Sequence, residues 1–160
     1  MIVSNSSPLI SLSGVGQIDI LRRLYRQITI PKAVWKEVVT DGVGLAGAHE
    51  VQRAKWIEVV EVGNHSLVIA LKQNLHVGEA EAIALTVEHN AKLLLLDDML
   101  ARTSASLFKL KYIGTLGVLR EAKEKNVIQK VKPVVEELRG RMGFWLEDKL
   151  IREFLRSVGE

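Results

Sequence analysis

The segment KLLLLD at residues 92–97 constrains the fold more than any other feature of the chain. Four consecutive leucines without an alternating polar residue are typical of a strand that is buried on both faces, as in the centre of a parallel sheet. Further strand candidates alternate with helical patterns along the chain, which predicts βαβ units. These candidates lie at residues 2–4, 27–30, 56–62 and 111–113. We therefore predict an α/β fold, in which helices cover both faces of a central parallel sheet of four to five strands.

The chain is predicted to be helical after its last strand candidate, with patterns near residues 116–125, 130–139 and 147–157. We predict a main domain over residues 1–125 and a helical C-terminal extension over residues 126–160 that packs on the same domain. Apolar residues of the extension either complete the core of the monomer, which we favour, or form an interface with a second copy or another protein. These residues are Val134, Leu138, Phe144, Trp145, Leu150 and Phe154.

The composition excludes several classes of site. The chain has no cysteine, so disulfides, thiolate zinc sites and cysteine nucleophiles are all ruled out. Its four histidines are scattered without the spacing of metal ligands, and we expect them on the surface. The N-terminus lacks the pattern of a signal peptide, and no apolar run approaches the roughly 18 residues of a membrane span. We therefore expect a cytoplasmic protein without a membrane partner.

Positive charge is concentrated in one part of the chain. Between Leu100 and Lys132 there are eight basic and two acidic residues, so this stretch alone carries +6, against +3 for the whole chain. A basic segment suits a polyanionic partner such as RNA or DNA. Charge alone supports equally well the alternative of a solvated helix face on a basic protein.

Three carboxylates are candidates for chemistry because of where they fall on the predicted elements. Asp97 ends the leucine-rich strand, and α/β folds commonly place functional groups at that edge of the sheet. Glu79 opens the helix GEAEAIALTVEH, whose periodicity turns Glu79 toward the core and Glu81 toward water. Glu37 lies off the centre of the apolar stripe of its helix, so periodicity places it at a shoulder or on the surface. For each residue the alternative is an ordinary structural or surface acid.

Polar residues next to strand ends complete this set. Asp98 is predicted to cap the helix that begins at Met99, and Ser7 to cap a first helix with Pro8 in its first turn. Asn5 lies between the first strand and this helix, where many α/β enzymes place a carboxylate. If the carboxylates converge, their mutual repulsion leads one of them to take up a proton unless a cation neutralises them, and Mg²⁺ or Mn²⁺ suits an all-oxygen site.

Four motifs in order, together with the C-terminal tail, resemble the PIN-domain family, the VapC-like ribonuclease fold. IVSNSSPLI resembles the family's first strand and turn, IPKAVWKEV the segment with its second acid, HVGEAEAIAL the helix with its third, and LLLLDDMLAR its last acidic turn. The tail, including YIGTLGVLREAKEKNV and ELRGRMGFW, resembles a branch with a helical extension, whose members are described mainly as nucleic-acid-binding proteins. The resemblance implies a three-layer α/β/α fold with the nuclease domain over residues 1–125.

Position by position, the resemblance places the family's four acidic positions at Asn5, Glu37, Glu79 and Asp97. It implies that these residues hold Mg²⁺ or Mn²⁺ and carry the catalysis. Asn5 departs from the family, because an amide oxygen can coordinate a cation but brings no charge and cannot act as a base. We therefore expect an altered metal site that binds its ion weakly.

The resemblance implies a metal-dependent endoribonuclease that acts on RNA, with DNA as a further candidate substrate. Substrate contacts would come from Ser7, Arg102 and Thr115. Such an enzyme could be a toxin that an antitoxin protein neutralises. Asn5 leaves an alternative open, a catalytically weak or inactive module that binds nucleic acid or a protein on the same fold. A homodimer is compatible with either function.

Overall fold

The computed structural model describes residues 1–160 and contains one sheet of five parallel strands. The strands are β1 (Ile2–Ser4), β2 (Ile28–Pro31), β3 (Ile57–Val60), β4 (Leu93–Leu95) and β5 (Tyr112–Ile113). They lie side by side in the order β3-β2-β1-β4-β5, with Val3 opposite Thr29 and Ser4 opposite Leu95. The predicted α/β class and parallel sheet are confirmed. The order reverses between β1 and β4, and such a switch point is where open α/β sheets bind ligands.

Ten helices connect and cover the strands. They are α1 (Ser6–Gly14), α2 (Asp19–Tyr25), α3 (Lys32–Trp35), α4 (Ala48–Arg53), α5 (His65–Leu71), α6 (Val77–Glu88), α7 (Met99–Leu107), α8 (Thr115–Glu124), α9 (Lys132–Met142) and α10 (Asp148–Ser157). A π-helical turn, Lys36–Thr40, continues α3. None of these helices combines the length and the apolar character needed to cross a membrane.

Successive leucine side chains of the segment at residues 92–97 point to opposite faces of the sheet. Leu95 is fully buried with α1 and α8 residues on one face, whereas Leu94 and Leu96 are fully buried with Val3 and the alanine-rich side of α6 on the other. Because a strand points successive side chains in opposite directions, only a strand between two apolar layers needs leucine at every position. The two cores and the sheet between them form the three-layer α/β/α arrangement.

The C-terminal helices pack on the α1 side of the sheet. Val134 and Leu138 of α9 and Phe154 of α10 are buried in the same core as residues of α1 and α8. Trp145 and Leu150 remain exposed, at 88% and 47%. Some of the apolar residues of the extension therefore complete the core of the monomer, and others do not. The boundary between residues 125 and 126 stays a prediction.

The first helix begins earlier than its sequence signals suggest. It starts at Ser6 with Asn5 in the N-cap position, so the predicted cap at Ser7 is wrong and Pro8 is the third helical residue. The backbone N–H of Asn5 donates to the carbonyl oxygen of Leu95 at 3.0 Å. This bond continues the β1–β4 pairing up to Asn5, so the helix follows the strand without a loop.

Candidate acidic site at the carboxyl edge of the sheet

A cleft of about 1070 Å³ opens at the carboxyl end of β1 and β4, where the strand order reverses. The structure brings five of the sequence-predicted residues to it. These are Ser7, Glu37, Glu79, Asp97 and Arg102. Asn5 and Thr115 are buried next to the carboxylates, with 3% and 0% of their surface exposed. Residues from five separate segments thus meet at one place.

Asp97 is held by the start of α8. Oδ1 of Asp97 accepts a hydrogen bond from the backbone N–H of Thr115, and Oδ2 accepts one from the Thr115 hydroxyl, both at 2.7 Å. Each carboxylate oxygen keeps further lone pairs that can face the cleft. Thr115 itself is fully buried, so direct contact with a substrate, as the resemblance implied, is not available to it. We reassign Thr115 as a residue that positions Asp97.

Glu79 combines a structural bond with an unfavourable environment for its charge. Its Oε2 accepts from the backbone N–H of His76 at 3.1 Å, which completes a capping box at the start of α6. Burial raises the pKa of Glu79, and the charges of Asp98 and Glu37 raise it further, against the lowering effect of the His76 N–H. A cation in the cleft would stabilise the ionised form of Glu79 against burial and the neighbouring negative charges.

Glu37 and Asn5 approach each other beside Gly78. Oε2 of Glu37 accepts a hydrogen bond from the Ser6 hydroxyl at 2.7 Å. A Cβ atom on Gly78 would come within 2.9 Å of Oε2 of Glu37 and 3.6 Å of Oδ1 of Asn5, so both oxygens face the same point. Oδ1 of Asn5 is buried and has no donor. The amide thus presents an unsatisfied oxygen next to a carboxylate.

Two arginines line the cleft without an acidic partner. Arg102 donates from Nε to the carbonyl oxygen of Leu96 at 2.8 Å, and its guanidinium lies 5.7 Å from the centre of the Tyr112 ring. Arg120 donates from Nη2 to the Ser157 hydroxyl at 3.0 Å. Neither arginine takes part in any of the ion pairs of the structure. Their remaining N–H groups are available to an anion such as phosphate.

Two lysines of the basic segment pair with acidic residues outside the cleft. Lys123 pairs with Glu160 at 2.7 Å, and Lys125 pairs with Glu121 at 2.6 Å. Of the eight basic residues counted in the sequence, only Arg102 and Arg120 line the cleft. Within the cleft itself, the basic segment therefore contributes these two side chains.

Two predictions about neighbouring acids have opposite outcomes. Asp98 caps α7 as predicted, since its Oδ1 accepts from the backbone N–H of Ala101 at 2.8 Å. The prediction that Glu81 faces water is wrong, because its Oε2 accepts from the backbone N–H of Ala33 at 2.9 Å. A helical wheel assumes one buried face, whereas α6 packs against both the sheet and α3.

Sequence reasoning missed several residues of the cleft. Ser6 holds Glu37, and His76 lines the cleft next to Glu79. The opposite wall comes from the C-terminal extension, chiefly through Phe144 and Trp145. Ser6 could have been found in the sequence because it is polar and directly follows Asn5, but no local pattern indicates the other residues.

The oxygen donors suit Mg²⁺ or Mn²⁺ in type, but they do not form a closed cage. No three Asp, Glu or His side chains lie close enough together to hold one metal ion. Mg²⁺ in proteins commonly has one or two carboxylate ligands and completes its shell with water and substrate phosphate. Oδ1 of Asn5 is buried beside Glu37 without a hydrogen-bond partner, and an ion bound there would give this oxygen a partner. The residues therefore fit a hydrated divalent ion in the type of their donor atoms, without a closed protein cage.

A family model described as a PIN domain matches residues 1–160 of the chain. No curated protein matches the chain significantly. The match covers the acidic cleft and the C-terminal helices alike.

Proposed function

Because the chain belongs to the PIN-domain family, we propose that it is a metal-dependent endoribonuclease whose active site is the acidic cleft. Family membership gives a nuclease-like fold and indicates nucleic-acid binding. One observation carries the finer proposal: Glu37, Glu79 and Asp97 reach a single cleft at the switch point of the sheet, together with an unpaired Arg102. Acidic oxygens and a free guanidinium are the groups that phosphodiester hydrolysis needs in one place.

One or two of the carboxylates of Glu37, Glu79 and Asp97 would hold Mg²⁺ or Mn²⁺ together with water, and Oδ1 of Asn5 lies next to Glu37. When bound, such an ion supplies an activated water and charge neutralisation at the phosphate. Thr115 fixes the direction of Asp97, and the helix cap fixes Glu79, so both carboxylates are oriented before substrate arrives. Arg102 is fixed by its bond to the carbonyl oxygen of Leu96 and can donate its remaining N–H groups to a phosphate oxygen.

Asn5 makes this site one negative charge poorer than four acids would be. Loss of a charged ligand weakens cation binding, and every 1.4 kcal/mol lost is about tenfold in affinity. The side chain has nearly the shape of aspartate and its Oδ1 has no donor, so the geometry for a ligand is retained. We propose an enzyme that needs more metal than a four-acid site would.

Cleavage of a panel of single-stranded and hairpin RNAs tests the proposal, with single-stranded DNA run in parallel. We expect the wild-type protein to cut RNA in Mn²⁺ and the Asp97→Asn protein not to cut it. Asp19→Asn is the matched control, because Asp19 is exposed and lies on α2, outside the cleft. Equal cleavage by the wild type and Asp97→Asn would exclude the proposal.

The second candidate is a nucleic-acid-binding module without turnover. The amide at position 5 and the absence of a three-carboxylate group favour it. It predicts RNA binding that weakens with salt, because basic groups displace counterions from the phosphates, and no metal-dependent cleavage.

An antitoxin protein and a homodimer stay predictions. Met99, Leu100 and Leu107 leave an apolar face of α7 exposed, and either partner could cover it. Size-exclusion chromatography with light scattering distinguishes a dimer from a monomer of 17.8 kDa.

A further inference from the structure

One wall of the acidic cleft is aromatic and comes from the C-terminal extension. The wall consists of the end of α9, the segment of residues 143–147 and the inner face of α10. Its apolar members are Met142, Phe144, Trp145, Leu146, Leu150 and Phe154. Trp145 is 88% exposed and is the most exposed large apolar side chain of the molecule. Its ring is free to take a partner on its surface.

Positive charge accompanies this wall. Arg120 lies over the ring of Phe154, with its guanidinium 5.6 Å from the ring centre, and Arg102 lies on the side of the cleft where Asp97 is held. Both arginines are fixed by hydrogen bonds and have no carboxylate partner. A cleft with an exposed aromatic ring and two fixed cations matches a chain of alternating bases and phosphates.

We propose that Trp145 stacks on an unpaired base of the substrate next to the phosphate that lies at the carboxylates. This inference rests on the proposed function for the identity of the nucleic acid and adds the residue that selects single strands. Bases inside a duplex already stack on both faces and cannot reach a side chain, whereas any unpaired base offers a free π-face. Arg102 and Arg120 bind the flanking phosphates.

Binding without divalent metal tests this proposal separately from catalysis. A fluorescently labelled single-stranded RNA and its duplex are titrated with protein in EDTA. We expect Trp145→Ala to weaken single-strand binding about fivefold to 100-fold, the range for the loss of one base stack, and to leave duplex binding unchanged. Trp145→Phe keeps an aromatic ring, so we expect its affinity within about threefold of the wild type.

Two further measurements keep the test independent of folding. Val43→Ala is the matched control, since Val43 is 77% exposed and does not line the cleft. We expect it to bind as the wild type does. Indole fluorescence of the wild type should be quenched by the single strand, and Trp145→Phe should lose most of this quenching while it keeps its affinity. Trp35 and Trp56 do not line the cleft and supply the residual signal.

The proposal is overturned if Trp145→Ala binds single strands as the wild type does, or if it loses single-strand and duplex affinity equally. Metal-dependent cleavage by the wild type, together with an unaffected Trp145→Ala protein, would remove this inference and leave the nuclease intact. Single-strand binding through Trp145 without any cleavage would keep this inference and remove the nuclease.

Discussion

Replacing Thr115 by valine would remove one hydrogen bond of Asp97 and almost no volume. Thr115 is fully buried, and its hydroxyl donates to Oδ2 of Asp97 at 2.7 Å. A hydrogen bond to a charged group contributes roughly 1.5–3 kcal/mol, and the carboxylate oxygen left behind would have lost its donor. We expect the free energy of unfolding to fall by about 2 kcal/mol, which lowers the Tm of a chain of this size by about 4–8 °C.

Urea unfolding measures the loss of stability, and the rate of RNA cleavage measures how well Asp97 is still positioned. Thr115→Ser keeps the hydroxyl and is the control, so we expect it to retain most of the stability and the cleavage rate. The valine variant should cleave more slowly, because Asp97 would keep only the bond from the backbone N–H of residue 115. The reasoning is refuted if the valine variant is as stable as the wild type, or if it cleaves RNA at the wild-type rate.

Three further predictions follow from single contacts. A Cβ on Gly114 would overlap Nη2 of Arg102, so Gly114→Ala should reduce RNA cleavage, whereas Gly140→Ala, with open space around it, should leave cleavage unchanged and unfold no more easily. Burial opposes ionisation of Glu160, but its bonds from a lysine and two backbone N–H groups lower its pKa to about 2. The stability it provides is present above its ordinary pKa of 4.5 and is lost as the pH falls toward 2, so urea titrations should show a smaller acid loss for Glu160→Gln. Burial raises the pKa of Glu79, so stability is lost as the pH rises from the ordinary pKa of a glutamate through the raised one. Glu79→Gln removes this charge and keeps an acceptor for the helix cap. We therefore expect Glu79→Gln to raise the Tm at pH 7.5 in EDTA and to abolish cleavage.

The sheet could be predicted because its signals are local. The leucine run needs two apolar neighbours, and the alternation of strands with helices leaves few topologies. The cap at Asp98 was predictable for the same reason, since the residue and the N–H that it accepts from are three positions apart.

The composition of the cleft depends on distant pairings that a sequence does not show. Glu160 neutralises Lys123 across 37 residues, which removes that lysine from any substrate surface. Glu81 contacts the start of α3 across 48 residues, so a helical wheel misplaces it. Trp145 reaches the cleft only because α9 and α10 fold back onto α1 and α8, and this path is fixed by tertiary packing.

Asn5 is the residue on which the proposed weak metal site depends most directly. The decisive measurement is the Mn²⁺ concentration that gives half-maximal RNA cleavage by the wild type, Asn5→Asp and Asp97→Asn. We expect Asn5→Asp to lower this concentration about tenfold or more, because a charge would replace an orphaned amide oxygen, and Asp97→Asn to cut at no concentration. Identical Mn²⁺ dependence of the wild type and Asn5→Asp would contradict the account, and cleavage by Asn5→Asp alone would assign the natural protein to binding.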